Sequence, residues 1–461
     1  MKIRYYFFLL ALILVIPINN YFVKLLVYIL LSVFSFRRYS PIHPIVWASL
    51  AWGFLFFNTF SGLIFIPTNV SKTAPIIYIL ASFLFFVFGF RSNNNLKPAT
   101  IIIIGTNLIS EKNAKHLRRF SYFSLIAFVL FAIDMFSFRG GSFTDLAILR
   151  EKFQGGGVSI FGQLSSILMF GGLFSIISFF IGKKENILLS LVGLVSFLMI
   201  GLFSAGRQGV LQVMVVSLML IWSIKYYKIS SFIVEKHSKK LILVSVTVFV
   251  FYLAYVTIGR FQNNGSNLSK LEITEATTNI KYDEKIKEFF FTTGDVIETL
   301  FAEGTYYFSH QLILFSEWWS SENKQIVNFK IIQMSPFIER QFDRLFPFFE
   351  TQSERYYRIM NNSWKTKESN FFGWRTANAN QINLFGIVGS LFFIFLHGYF
   401  SKYFYNRFHF RPNLWSFSIL TINNLMLFYT IMFSLFQDTY VMIFILISLY
   451  YFNTDRKMNR A

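Results

Sequence analysis

The chain has 461 residues, 54% of them apolar and 14% charged, with 62 Phe, a mean hydropathy of +0.50 and a formal net charge of +20. Repeated apolar runs near bilayer length argue against a soluble globular protein and predict a polytopic membrane protein. With no Cys, disulfides, thiolate metal sites and a cysteine nucleophile are excluded.

Twelve spans are expected, at about 5–18, 21–36, 44–65, 74–90, 120–138, 158–181, 187–204, 208–224, 240–258, 381–400, 414–433 and 437–453. The first follows Lys2 and Arg4 as a signal peptide would. However, residues 17–20 (PINN) lack a small-residue cleavage site and another apolar run follows at once, so it reads as a retained span turned in a hairpin onto the second.

If the N-terminus is cytoplasmic, the segments facing the cytoplasm hold 23 Lys or Arg and only four acids, Glu111, Glu185, Glu235 and Asp455. The short loops on the other face hold five basic residues: Lys72, Arg139, Arg150, Lys152 and Arg207. Such a bias predicts both termini inside. It also accounts for the net charge at the cytoplasmic rim, so nucleic-acid binding is not supported.

The expected organisation is spans one to nine over 1–258, a long polar segment over 259–380, and the last three spans with a cytoplasmic tail over 381–461. The long segment holds 14 basic and 15 acidic residues and is expected on the extracytoplasmic side. Within it, residues 286–321 place apolar positions at helical spacing among Asp295, Glu298 and Glu303, as amphipathic helices on a membrane surface would. The predicted fold is thus an all-α polytopic membrane protein of about 12 transmembrane helices with one large, partly helical extracytoplasmic loop.

Arginine on the face opposed to the positive-inside bias is a candidate anion ligand. Arg207 lies in SAGRQG (204–209) between two spans, Arg260 ends the ninth span, and Arg375 in FGWRTANANQ (372–381) precedes the tenth. A guanidinium fork suits phosphate oxygens, and three at one membrane face can converge on a phosphorylated headgroup. Each taken singly is equally a side chain snorkelling to lipid phosphates.

His310 is the one imidazole expected on the loop face; His43, His116, His237, His397 and His409 map to the cytoplasmic side or near it. Two helical turns separate Glu303 from His310, so on a helix they share a face and can hold or activate an acceptor hydroxyl. A polar helix face in solvent gives the same pattern. Trp318, Trp319 and Trp374 can stack on sugar rings or anchor the chain at the membrane interface. Asp134 and Asp438 sit at span ends, poorly placed for the midplane carboxylates of a coupled carrier.

The SAGRQG junction, the arginine ahead of a large outer loop, LREKFQGGGVSIFGQLSSIL (149–168) with Arg150, and INLFGIVGSLFFIFLHGYF (382–400) together resemble the oligosaccharide repeat unit polymerases, the O-antigen polymerases of the Wzy type. The resemblance implies a GT-C-like membrane glycosyltransferase that needs no metal or other cofactor. It implies undecaprenyl-pyrophosphate-linked oligosaccharides as donor and acceptor at the outer face of a bacterial cytoplasmic membrane, and a chain-length regulator as a further partner. Arg207 and Arg260 inherit pyrophosphate binding from it, with Arg150 and Arg375 in support. An O-antigen ligase would handle the donor in the same way; a lipid-linked oligosaccharide flippase would instead need charged residues lining a midplane cavity.

Overall fold

The computed structural model describes residues 40–60, 64–65, 73–93, 108–141, 159–204, 208–261, 377–410, 412–431 and 438–458, with separate positions between 271 and 319. The first two expected spans lie outside the described residues. In chain order the elements are α1 (Pro44–Phe60), β1 (Ile64–Phe65), α2 (Thr73–Ser92), α3 (Glu111–Ile133, continued by a π turn over Asp134–Phe138), α4 (Ile160–Leu168), α5 (Phe170–Ile181), α6 (Ile187–Phe203) and α7 (Gln208–Tyr227). They continue with α8 (Phe232–Phe261), β2 (Lys281–Tyr282), α9 (Ala377–Phe410), α10 (Leu414–Tyr429) and α11 (Thr439–Met458).

The described residues are mostly helical, and among them six helical runs are long and apolar enough to cross a membrane: Thr73–Ser92, Glu111–Phe138, Ile160–Ile181, Lys184–Phe203, Gln208–Tyr227 and Phe385–Phe410. Polar residues at the turns set where helices begin. Ser110, Ser159 and Asn413 each accept a hydrogen bond from a backbone N–H in the first turn of α3, α4 and α10, satisfying donors that the helix leaves open. Within α9 the chain kinks at Gly386, whose φ of 70° is a conformation that only glycine adopts without cost.

Small residues let the helices approach closely. A Cβ on Gly89 of α2 would lie 1.9 Å from the Phe395 carbonyl oxygen of α9, and one on Gly398 of α9 would lie 2.1 Å from that of Phe86. Backbone-to-backbone contact of this kind is how helices gain dispersion energy in lipid, where no hydrophobic force drives them together. Serine hydroxyls bridge the α3–α6 group: Ser124 donates to Gly193 O at 2.6 Å and Ser165 to Ala127 O at 2.7 Å.

One departure from the all-α expectation is a two-stranded antiparallel ladder pairing Ile64 with Tyr282 and Phe65 with Lys281. Two short pieces of connecting chain satisfy each other's backbone groups there. The ladder ties the chain just after α1 to the segment that follows α8, so both leave the same end of the bundle. At the opposite end, Lys402 lies over the rings of Phe90 and Tyr405 at 4.9 and 5.5 Å, beside buried His43, and Tyr227 is hydrogen-bonded to His409 at 3.0 Å. His116 and Tyr451 meet at that end too, 3.1 Å apart.

Candidate functional site

The end of the bundle that carries the ladder also carries the most connected polar cluster among the described residues. It begins where α6 gives way to α7. Ser204 closes α6 by donating to Gly201 O at 2.9 Å, and the two helices come close at Gly201 and Gly209, where a Cβ on Gly209 would meet the Gly201 Cα at 3.5 Å. Tyr252 of α8 reaches the same spot, its hydroxyl donating to Gly201 O at 3.1 Å.

Gln208, the first residue of α7, is fixed from two directions. Its Nε2 donates to Asp438 Oδ2 at 2.6 Å, and its backbone oxygen accepts the Tyr429 hydroxyl at 3.1 Å. One turn on, fully buried Gln212 accepts from the Tyr440 hydroxyl through Oε1 at 2.8 Å. That hydroxyl is also 3.3 Å from Asp438 Oδ2, so its single proton is shared between the two acceptors. The α6–α7 and α10–α11 junctions are thereby joined through one carboxylate. Among the described residues no Lys or Arg pairs with Asp438.

Asp134, the other acid of the span ends, is placed quite differently. Its Oδ2 pairs with Arg139 Nη2 at 2.6 Å, with side chains 1% and 5% exposed, and its Oδ1 accepts from Ser159 N at 3.1 Å. This is a closed latch between the end of α3 and the start of α4.

The pieces described between 271 and 319 pack on the bundle. Leu312 and Phe315 are buried in the main core, and Trp319 sits 5.5 Å from the Tyr78 ring of α2 and 5.7 Å from Phe315. The face formed by Leu312, Phe315 and Trp319 thus meets protein, where the sequence predicted a helix resting on the membrane surface. Trp319 serves this packing. Glu298, expected on a solvated face, is buried and accepts from Leu271 N at 2.9 Å. Glu275 and Glu284, bonded to Lys287, hold its ammonium above the usual lysine range.

No protein-family model matches the chain, and no curated protein or solved structure matches it either.

Of the residues singled out from sequence, Arg150, Arg207, Glu303, His310, Trp318, Trp374 and Arg375 lie outside the described residues. Arg260 is on α8, one residue before the helix ends; its side chain is outside the description. What the structure adds are the neighbours: Gln208 follows Arg207 directly and is held by Asp438 and Tyr429, while Tyr252 fixes α8 two turns before Arg260. Gln208, Gln212, Tyr429 and Tyr440 were not singled out from sequence. The available signal was two amides at i and i+4 on an apolar helix, which share a face and, in a membrane, need a polar partner.

Proposed function

We propose that this chain is a membrane glycosyltransferase of the oligosaccharide repeat unit polymerase type, acting at the outer face of a bacterial cytoplasmic membrane. It moves a growing glycan from undecaprenyl pyrophosphate to a hydroxyl of the next lipid-linked repeat unit, extending an O-antigen, capsule or similar surface polysaccharide. In this reading both termini are cytoplasmic and the segment 259–380 is extracytoplasmic. A leaving pyrophosphate gains negative charge as the glycosidic bond breaks, so cations fixed around it stabilise the transition state more than the ground state. Arg207 and Arg260 take that role, with Arg150 and Arg375 beside them, and the loop carrying Glu303, His310, Trp318 and Trp374 receives the acceptor.

The observation that supports this reading most is the Tyr252–Gly201 bond. It ties α8, which carries Arg260 as its penultimate residue, to α6 close to the end that precedes Arg207 in sequence.

Deleting the gene and resolving the surface polysaccharide by gel tests the proposal. Loss of a polymerase leaves single-repeat caps, and loss of a ligase leaves none. Arg207→Ala and Arg260→Ala are expected to reproduce the single-repeat pattern at normal membrane abundance. Long chains of unchanged distribution in the deletion strain would reject the reading.

A further inference from the structure

The geometry points to Asp438 as the group that accepts the proton of the attacking acceptor hydroxyl, an assignment that rests on the transfer reaction proposed above. Among the described residues, both side-chain hydrogen bonds to this carboxylate fall on Oδ2, from Gln208 Nε2 at 2.6 Å and Tyr440 Oη at 3.3 Å, and neither falls on Oδ1. The donors are neutral, and among the described residues no cation pairs with the carboxylate they orient. Beside it, fully buried Gln212 engages Tyr440 through Oε1, and its Nε2 has no hydrogen-bond partner among the described residues. A buried amide donor without an acceptor is a costly arrangement unless a ligand completes it.

The cluster therefore holds an acceptor oxygen (Oδ1) that takes neither of these bonds and a donor (Gln212 Nε2) without a partner among the described residues, on two residues that the Tyr440 hydroxyl links. Sugar hydroxyls both donate and accept, and Asp438 is bonded to Gln208, the residue that follows Arg207 in sequence. In the step, the acceptor oxygen bonds to the anomeric carbon while the bond from that carbon to the pyrophosphate oxygen breaks. The bonding pair leaves with undecaprenyl pyrophosphate, the hydroxyl proton passes to the Asp438 carboxylate, and the resulting carboxylic acid returns it to water.

The test uses the purified full chain in lipid nanodiscs, with lipid-linked single repeat units extracted from a strain lacking the gene. Glycan extension and released undecaprenyl pyrophosphate are both measured. Asp438→Asn keeps an oxygen for Gln208 and Tyr440 and removes the base; extension is expected to fall by about 100-fold or more, the usual scale for losing a general base. Azide, a nucleophile with no proton to give up, is expected to restore pyrophosphate release in this variant. Asp438→Glu keeps a carboxylate in the wrong place and should lower kcat at unchanged donor KM, which decides the matter should the Asn variant not accumulate.

Asp438→Asn with full activity, or Asp438→Glu with full kcat and only lower thermal stability, would make Asp438 a structural link and overturn the assignment. Azide rescue of His310→Gln in place of Asp438→Asn would overturn it in favour of the imidazole. No extension by the wild-type protein would remove the transferase reading itself, and the assignment with it.

Discussion

Two carboxylates, Asp134 after α3 and Asp438 before α11, lie at the same end of the bundle and are held in opposite ways. Asp134 is closed: a cation takes one oxygen and a backbone N–H the other, and both side chains of the pair are nearly inaccessible. Among the described residues Asp438 is held by neutral donors on one oxygen, with partners that include Gln208, 230 positions away in sequence. An acid neutralised by a neighbouring arginine holds a turn shut and has little left to offer a ligand. One oriented by an amide and a phenol, with no cation paired to it among the described residues, keeps an oxygen for whatever reaches it. The contrast separates a structural carboxylate from a chemical one without appeal to any relative.

The contrast breaks most visibly at Arg139. Asp134→Asn strands that guanidinium in a buried site, and losing one partner of such a pair costs about 3–5 kcal/mol. Thermal unfolding of the detergent-purified protein should show a large drop, mostly recovered when Arg139→Gln is added. An unshifted midpoint would mean the latch is not buried as described. At the other carboxylate, Gln208→Ala removes one donor to a charged acceptor and should cost about 1.5–3 kcal/mol, with extension activity falling further than stability alone explains. Equal losses from the two substitutions, with activity tracking stability in both, would erase the distinction.

How far the sequence led depends on whether a feature is local. Six helical runs among the described residues follow the bilayer-length apolar runs of the sequence, and the caps at Ser110, Ser159 and Asn413 follow residue type. Pairing of Asp134 with Arg139 was not legible, because residues five apart on an α-helix point about 140° from one another at 100° per residue. The π turn changes this: Arg139 N bonds to Asp134 O at 3.1 Å, an i+5 to i closure that brings the two side chains onto one face. The Asp438 cluster was out of reach for the other reason, since its partners come from helices far apart in sequence. The packing of Leu312, Phe315 and Trp319 against α2 was hidden likewise: an apolar stripe has the same spacing whether lipid or protein covers it.

The mildest test concerns the placement of Arg260. Tyr252→Phe removes the hydroxyl that donates to Gly201 O and leaves the ring against Val210, Leu198 and Leu202. One neutral hydrogen bond is worth about 0.5–1.5 kcal/mol, so the midpoint should move only slightly. The function should respond differently, because Arg260 stands eight residues further along α8, about 12 Å at 1.5 Å per residue, and Tyr252 is a polar tie between that helix and α6 below it. If both arginines hold the leaving pyrophosphate, loosening that tie weakens donor handling and lowers kcat/KM for the lipid-linked donor more than the stability change predicts. The proton-accepting end at Asp438 is untouched by this substitution, so azide should give Tyr252→Phe no advantage. A variant with full kcat/KM would show that the Arg260 end of α8 keeps its position without Tyr252.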